Sequence, residues 1–338
     1  MQKFFKIIVT ALVFISSAAI LNASEYSGSL IKNITLGNPQ DKADYVKLNP
    51  YTAATLAIAS AVGAIKLFNI NQPENKPVVL HGHTDRISEI AFHPTDETVV
   101  ASAGLDNTIR IWDCHTADQK TIIRHGFDNE WPRAIAFDPT NSANIAYATA
   151  RKIYFFGPTP IVKSTENHSW INTLAFDPHD SAKIYSTSYD SSTINCWDTK
   201  TDKLHRSYEF PKTKAFDSGE SAHIRSFAIS LTNPTLLAAA CLNQHMYVRN
   251  IKKEKPVALN GWGSIHKVLF NPGNGSMLVG HNTQALYVWN IDKSQEIPII
   301  LKGNSGYISS AAFDPFKPSI LVSVSSDKTV CFWDISED

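Results

Sequence analysis

The chain repeats itself about every 44 residues, and this constrains its fold more than any other feature. The clearest copy runs Gly82-His83, Ile87, Ile90, Phe92-His93-Pro94, residues 99–102, Asp106 and Ile109-Arg110-Ile111-Trp112-Asp113. The same ending returns at Trp197-Asp198 and Trp333-Asp334, and in altered form at Phe68-Asn69, Phe156-Gly157, Arg249-Asn250 and Trp289-Asn290. Successive endings lie 44, 44, 41, 52, 40 and 44 residues apart, which makes seven copies. Six copies also carry a Phe-x-Pro-like turn, at Leu48-Asn49-Pro50, Phe92-His93-Pro94, Phe137-Asp138-Pro139, Phe176-Asp177-Pro178, Phe270-Asn271-Pro272 and Phe313-Asp314-Pro315. Proline cannot donate to a sheet ladder, so it belongs just past a strand, in a turn. Between turns the runs alternate with period two and are rich in Ile, Val, Phe and Tyr, as in residues 108–112 and 329–333. Such runs are short strands, about four to a repeat, and no stretch after the N-terminus has helical periodicity.

The period, the Gly-His element and the Trp-Asp ending together resemble the WD40-repeat family. The resemblance covers residues 26–338. It is strong in repeats two, four and seven, intermediate in six, and weak in one, three and five. It implies an all-β, seven-bladed propeller of four antiparallel strands per blade around a central channel. The ring has to close. Repeat seven ends at Asp334 with three strands supplied and four residues left, so residues 29–35 are expected to supply its outer strand. They correspond to residues 77–80, 121–124 and 298–301 in other repeats. Pairing the N-terminus with the last blade would remove an open edge and tie down both ends.

In WD40 blades a His, a strand Ser, a turn Asp and the Trp form a buried hydrogen-bond chain. The resemblance places His83, Ser102, Asp106 and Trp112 in that chain, with Ser186, Asp190 and Trp197 in repeat four and Ser323, Asp327 and Trp333 in repeat seven. Asn167 (beside His168) and Asn304 take the His position in those two repeats. A hydrolase triad is the competing reading of His, Asp and Ser, but these residues recur with the period, as structural residues do and a single active site does not. No HExxH, paired CxxC, P-loop or GxSxG element occurs, so the chain is expected to be no enzyme and to need no cofactor or metal. A propeller enzyme of hydrolase or lactonase type would require converging acids or histidines.

The residue six before each Phe resembles the position WD40 proteins use on their top face. It reads Lys42, Arg86, Trp131, Trp170, His223, Ser264 and Tyr307. The residue four before the Phe should face the channel mouth too, and reads Asp44, Ser88, Arg133, Asn172, Arg225, His266 and Ser309. Trp, Tyr and Arg are the residues most enriched at binding hot spots. Lys42, Arg86, Trp131, Arg133, Trp170, His223, Arg225 and Tyr307 are therefore the expected partner-binding ring. The expected partner is a protein or peptide, with a sugar stacked on the two Trp as the alternative. Residues 206–218, within the long 52-residue interval, are expected to overhang the mouth with Tyr208, Phe210, Lys212, Lys214 and Phe216.

Charge excludes one partner class. Lys+Arg number 31 and Asp+Glu 31, so the basic field that drives nucleic-acid binding is missing. Residues 1–23 read as a secretory signal peptide: Lys3 and Lys6, an apolar run over residues 7–21, and Ala23 at the expected cut. That run is short for a bilayer span, so the mature chain, residues 24–338, should be a periplasmic or secreted monomer without a membrane span. The four Cys fall in different repeats, and four free thiols are expected.

Overall fold

A computed structural model gives the fold, and it describes residues 28–35, 43–49, 55–60, 62–69, 71–72, 74–125, 130–141, 143–157, 170–201, 203–211, 223–242, 245–253, 255–259, 264–294, 296–304, 306–326 and 329–336. The predicted signal peptide, Lys42, Asn167, His168, Lys212, Lys214, Phe216 and Asp327 lie outside them.

The strands fall into seven sheets, each one blade. After β1 (Ser29–Thr35), blade one is β2 (Ala43–Leu48), β3 (Thr55–Ser60), β4 (Ile65–Asn69) and β5 (Val78–Leu80). Blade two is β6 (Ile87–Phe92), β7 (Val99–Gly104), β8 (Thr108–Asp113) and β9 (Gln119–Arg124). Blade three is β10 (Ala134–Phe137), β11 (Ile145–Ala148) and β12 (Ile153–Phe156) among the described residues. Blade four is β13 (Ile171–Asp177), β14 (Asp180–Ser188), β15 (Thr193–Asp198) and β16 (Leu204–Glu209). Blade five is β17 (Ile224–Ile229), β18 (Leu236–Cys241), β19 (Met246–Asn250) and β20 (Val257–Leu259). Blade six is β21 (Lys267–Phe270), β22 (Met277–His281), β23 (Leu286–Asn290) and β24 (Ile299–Leu301). Blade seven is β25 (Ile308–Phe313), β26 (Ile320–Ser325) and β27 (Thr329–Asp334), completed by β1. The architecture is the seven-bladed propeller the repeats imply, and among the described residues the only helical element is a 3-10 turn at Ile291–Lys293.

The N-terminal strand closes the ring as expected. β1 runs antiparallel to β27, with Ser29 opposite Asp334 and Thr35 opposite Thr329. The first strands of blades one to six pack successively on one another, β22 of blade six packs on β25, and β25 packs on β2, so the circle is complete.

The core is not central. It consists of clusters between neighbouring blades. Ala57, Ile65 and Leu80 of blade one meet Ile87, Ile90 and Trp112 of blade two, and Leu56 and Ile58 meet Val322, Val324 and Phe332 of blade seven. Each sheet is therefore covered on both faces. That explains why the second strands are buried end to end, as in VVASAG of β7 and LLAAAC of β18. Outer strands such as β1 and β16 are mostly exposed.

Short polar caps make the turns. In the Phe-x-Pro turns the middle residue points inward and holds the backbone: Asp138 Oδ1 accepts the N–H of Thr140 at 2.9 Å, Asn271 that of Gly273 at 2.8 Å and Asp314 that of Phe316 at 2.8 Å. In blade two the ring Nδ1 of His93 does the same for Asp96, at 2.9 Å. These are side-chain substitutes for a turn's own hydrogen bonds.

The cysteines are free and buried, as expected. Burial pushes the thiols of Cys114 and Cys241 up to about 12 and that of Cys196 up to about 11, so none of these three is a ready nucleophile.

Candidate functional site

The polar chain of blade two is continuous. The indole N–H of Trp112 donates to Ser102 Oγ at 2.8 Å, and Ser102 Oγ lies 2.7 Å from His83 Nε2. His83 Nδ1 lies 3.0 Å from both oxygens of Asp106. Burial lowers the His83 pKa against the opposing pull of Asp106, so the ring is neutral, with its proton on the Asp106 side. Burial would raise Asp106, but hydrogen bonds from the Thr108 hydroxyl, the Thr84 N–H and His83 outweigh it and hold the carboxyl low. Elsewhere the chain is shorter. Trp197 donates to Ser186 Oγ at 2.8 Å, while Asp190 stands exposed at its turn rather than buried with them. Trp333 donates to Ser323 at 2.9 Å, and the Ser323 hydroxyl donates to Asn304 Oδ1 at 2.9 Å. His, Ser and Asp here are thus bonded inside a blade, and His81 beside them is exposed.

The starts of the inner strands are built in a repeated way. In blades one, two, four, five and seven the ladder slips by one residue between the positions five and three before the Phe. The extra residue is the one four before the Phe: Asp44, Ser88, Asn172, Arg225 and Ser309. A bulge of this kind re-aims a side chain and sits commonly at binding sites. Two of these side chains bridge to the next blade: Ser88 donates to the carbonyl of Pro132 at 2.7 Å, and Asn172 Nδ2 to those of Ile224 and Arg225 at 3.1 and 3.3 Å. Ser309 returns to Val324 O of its own blade at 3.0 Å.

The residue six before the Phe is pinned through its backbone. The carbonyls of Arg86, Trp170, His223 and Tyr307 accept the N–H of Leu105, Tyr189, Leu242 and Ser326 at 2.8–2.9 Å. Their side chains project from fixed points. Trp170 is 51% exposed, Tyr307 68% and Trp131 37%; Arg86 is exposed and His223 half-buried.

Trp131, Arg133 and Trp170 come together. The Arg133 guanidinium lies 5.0 Å from the Trp131 ring centre and 4.6 Å from that of Trp170. Each cation–π contact is worth about 0.5–1 kcal/mol where water reaches it. Burial lowers the Arg133 pKa slightly, with neighbouring Glu130 opposing, and the group stays charged. Glu130 itself accepts the Thr149 hydroxyl at 2.9 Å. The product is a rigid, amphipathic patch of about the shape an interface anchor needs.

One expectation about this face is corrected. Tyr208 and Phe210 do not overhang the mouth: Tyr208 lies on the outer strand β16, and both side chains are 3% exposed in the core between blades four and five. Their alternation with charged neighbours was a strand pattern, not a loop pattern. Sequence reasoning also missed the channel wall. A cavity of about 760 Å³ is lined by Lys47, Glu89 and Lys267, one or three residues before the Phe, as well as by Asn172, Arg225 and His266. Lys47 and Glu89 are 3.9 Å apart. Desolvation lowers Lys267 to about 8, with Glu89 opposing and Lys47 adding to it. Exposed Tyr189, beside Trp170, was missed as well. Among the described residues no group of three His, Cys, Asp or Glu converges as a metal set.

Behind Lys267, His281 is 1% exposed and burial holds it down at about 3. The unfolded ring takes up its proton near pH 6.5, so folding loses stability as pH falls below that value and continues to lose it down to about pH 3. At pH 5 the loss from His281 is about 2 kcal/mol. Urea midpoints at pH 7.5 and 5.0 should differ in that direction, and the difference should shrink in His281→Asn.

A family model described as "WD domain, G-beta repeat" matches residues 75–113, 160–198 and 295–334. These three segments are similar to the WD40 repeat. The chain is 25% identical over 267 residues to the protein lethal(2)denticleless of Drosophila melanogaster, covering 76% of this chain and 33% of that one. It is 33% identical over 112 residues to Coronin-7 of Mus musculus, 31% of this chain and 12% of that one. Over 70 residues it is 40% identical to an uncharacterized WD repeat-containing protein of Synechocystis, 20% of this chain and 19% of that one. The chain thus spans a third or less of the length of these relatives. Among the described residues no helix is long and apolar enough to cross a membrane.

Proposed function

We propose that this WD40-repeat propeller is an exported, non-enzymatic scaffold that captures a protein or peptide on the face bearing Arg86, Trp131, Arg133, Trp170, Arg225 and Tyr307. The observation that carries this reading is the Trp131–Arg133–Trp170 clamp. Two indoles stand exposed at 37% and 51%, which a solvated loop end does not need, and they hold an Arg fixed between them. Rigid aromatic and Arg anchors of this type dominate interface energetics. The basic, apolar N-terminus supports export, and N-terminal sequencing of protein from the native cell should begin at residue 24. A mature chain that retains residue 1 overturns that part.

The partner test uses Trp131→Ala with Trp170→Ala. Two hot-spot Trp at about 2 kcal/mol each predict a loss of capture of several hundredfold or more. The melting temperature should stay within about 2 °C, since neither side chain is core. Affinity purification from the native source, parent against variant, reads the result. An identical captured set would place the interface elsewhere. Loss of glycan binding alone would favour a sugar-binding module.

A further inference from the structure

We propose that the channel mouth between blades four, five and six is a carboxylate-binding site, in which Arg225 and His266 hold the oxyanion and Asn172 accepts a hydrogen from a donor beside it. Arg225 is the bulge residue of β17 and lines the cavity. Its Nε is buried and has no hydrogen-bond partner. Asn172 is the bulge residue of β13, and its amide hydrogens go to the carbonyls of Ile224 and Arg225. Those two bonds fix which way the amide faces and leave Oδ1 buried and without a partner. Both residues line the cavity, and the Asn172 amide lies 3.3 Å from the Arg225 backbone carbonyl. Each buried orphan costs about 1–3 kcal/mol, more when charged, so two of them on hydrogen-bonded residues that line one cavity single out this stretch of its wall.

The surroundings select the ligand's charge. The ionisable groups on the cavity wall are Lys47, Arg225, His266 and Lys267 against a single acid, Glu89. Burial first, and the Arg225 charge second, lower the His266 pKa, as expected of a ring facing an unneutralised cation. An anion relieves that repulsion. The orphan acceptor refines the choice: inorganic phosphate as its dianion carries its single O–H on the same tetrahedral centre as its acceptors, whereas a carboxylate next to an N–H, as in an acylated amino acid or an acidic residue of a peptide, sets a planar acceptor edge apart from the donor and fills both positions. A guanidinium also matches a planar carboxylate edge to edge. Arg225 is shared with the proposed capture face, but the Trp131–Arg133–Trp170 clamp takes no part in this site.

The test uses the mature chain and three probes followed by ligand-observed NMR titration: N-acetyl-aspartate methylamide, its asparagine counterpart, and inorganic phosphate. The aspartate compound should bind saturably, and the other two at least tenfold more weakly. Arg225→Gln should weaken aspartate binding at least tenfold. Arg225→Lys keeps the charge without the Nε donor and should also weaken it, which retains the test if the Gln variant does not fold. The clamp variant Trp131→Ala/Trp170→Ala should bind the probe as the parent does. A pentapeptide Gly-Gly-Asp-Gly-Gly that binds more tightly than the capped residue assigns the carboxylate to a peptide; equal affinity assigns it to a small acid. No saturation by the aspartate compound, equal binding of phosphate, or unchanged binding in both Arg225 variants overturns the site.

Discussion

Deleting Ser29–Thr35 should lower the melting temperature by about 10 °C and make the protein prone to aggregate. The strand pairs with β27 along its whole length, from Ser29 against Asp334 to Thr35 against Thr329. Its own side chains are mostly exposed, so the loss is not mainly hydrophobic. It comes from the ladder and from closure. Half a dozen backbone bonds at about 1 kcal/mol each, offset by the entropy of ordering the segment, leave a net contribution of about 3 kcal/mol. For a domain of this size each kcal/mol moves the midpoint by roughly 2–4 °C. The deletion also bares β27, whose sequence Thr-Val-Cys-Phe-Trp-Asp is an uncharged, β-prone edge for four of its six residues. A permutant separates closure from mere truncation. Because Ser29 lies opposite Asp334, the strand can be re-attached after residue 336 through a short hairpin turn. That permutant should recover most of the lost melting temperature. An unchanged midpoint in the deletion variant would mean that interblade packing alone closes the ring.

The fold was legible because a propeller writes each structural need seven times. Pro after the inner strand, a capping Asp or Asn at the turns and Trp beside a strand Ser recur at a fixed period, so single weak copies are read through strong ones. Even the closing strand was visible, as one outer strand too few at the C-terminus. The binding face was legible only in part, because its residues are the ones that do not repeat. Trp131, Trp170 and Tyr307 could be placed by counting back from each Phe. What counting could not give was the bulge: it decides that Ser88 and Asn172 turn to the neighbouring blade while Arg225 lines the cavity. Nor could it give Lys47, Glu89 and Lys267. At those positions the other repeats hold Ala, Thr or Ser, with Leu269 and Tyr45 the exceptions, all of which look like ordinary strand residues, and the three charges converge only through the ring. Tyr208 failed for the opposite reason. An extra-long interval suggested a loop, but strand β16 and its buried aromatic occupy the start of it.

Ser102→Ala should destabilise the protein by about 3–5 kcal/mol, far more than the same change at Ser186. Both hydroxyls are fully buried on a second strand, and both accept an indole N–H at 2.8 Å. Ser102 also meets His83 Nε2 at 2.7 Å. Removing it strands two buried polar groups at once, the Trp112 N–H and the His83 ring nitrogen, each at about 1–3 kcal/mol. The His83 ring cannot compensate by turning, because its other nitrogen is held 3.0 Å from both oxygens of Asp106, which is fixed in turn by the Thr108 hydroxyl at 2.7 Å and the Thr84 N–H at 3.1 Å. At Ser186 the change strands the Trp197 N–H, so about 1–3 kcal/mol is expected. Ser323→Ala should fall with Ser102, since it strands both Trp333 and the Asn304 side chain. Urea unfolding at constant m-value reads the order directly. A loss at Ser186 equal to that at Ser102 would mean that the His83–Asp106 limb adds nothing to stability, and that packing around each Trp carries the blade. The predicted order instead sets blades two and seven above blade four, with blade two next to the clamp that begins in blade three.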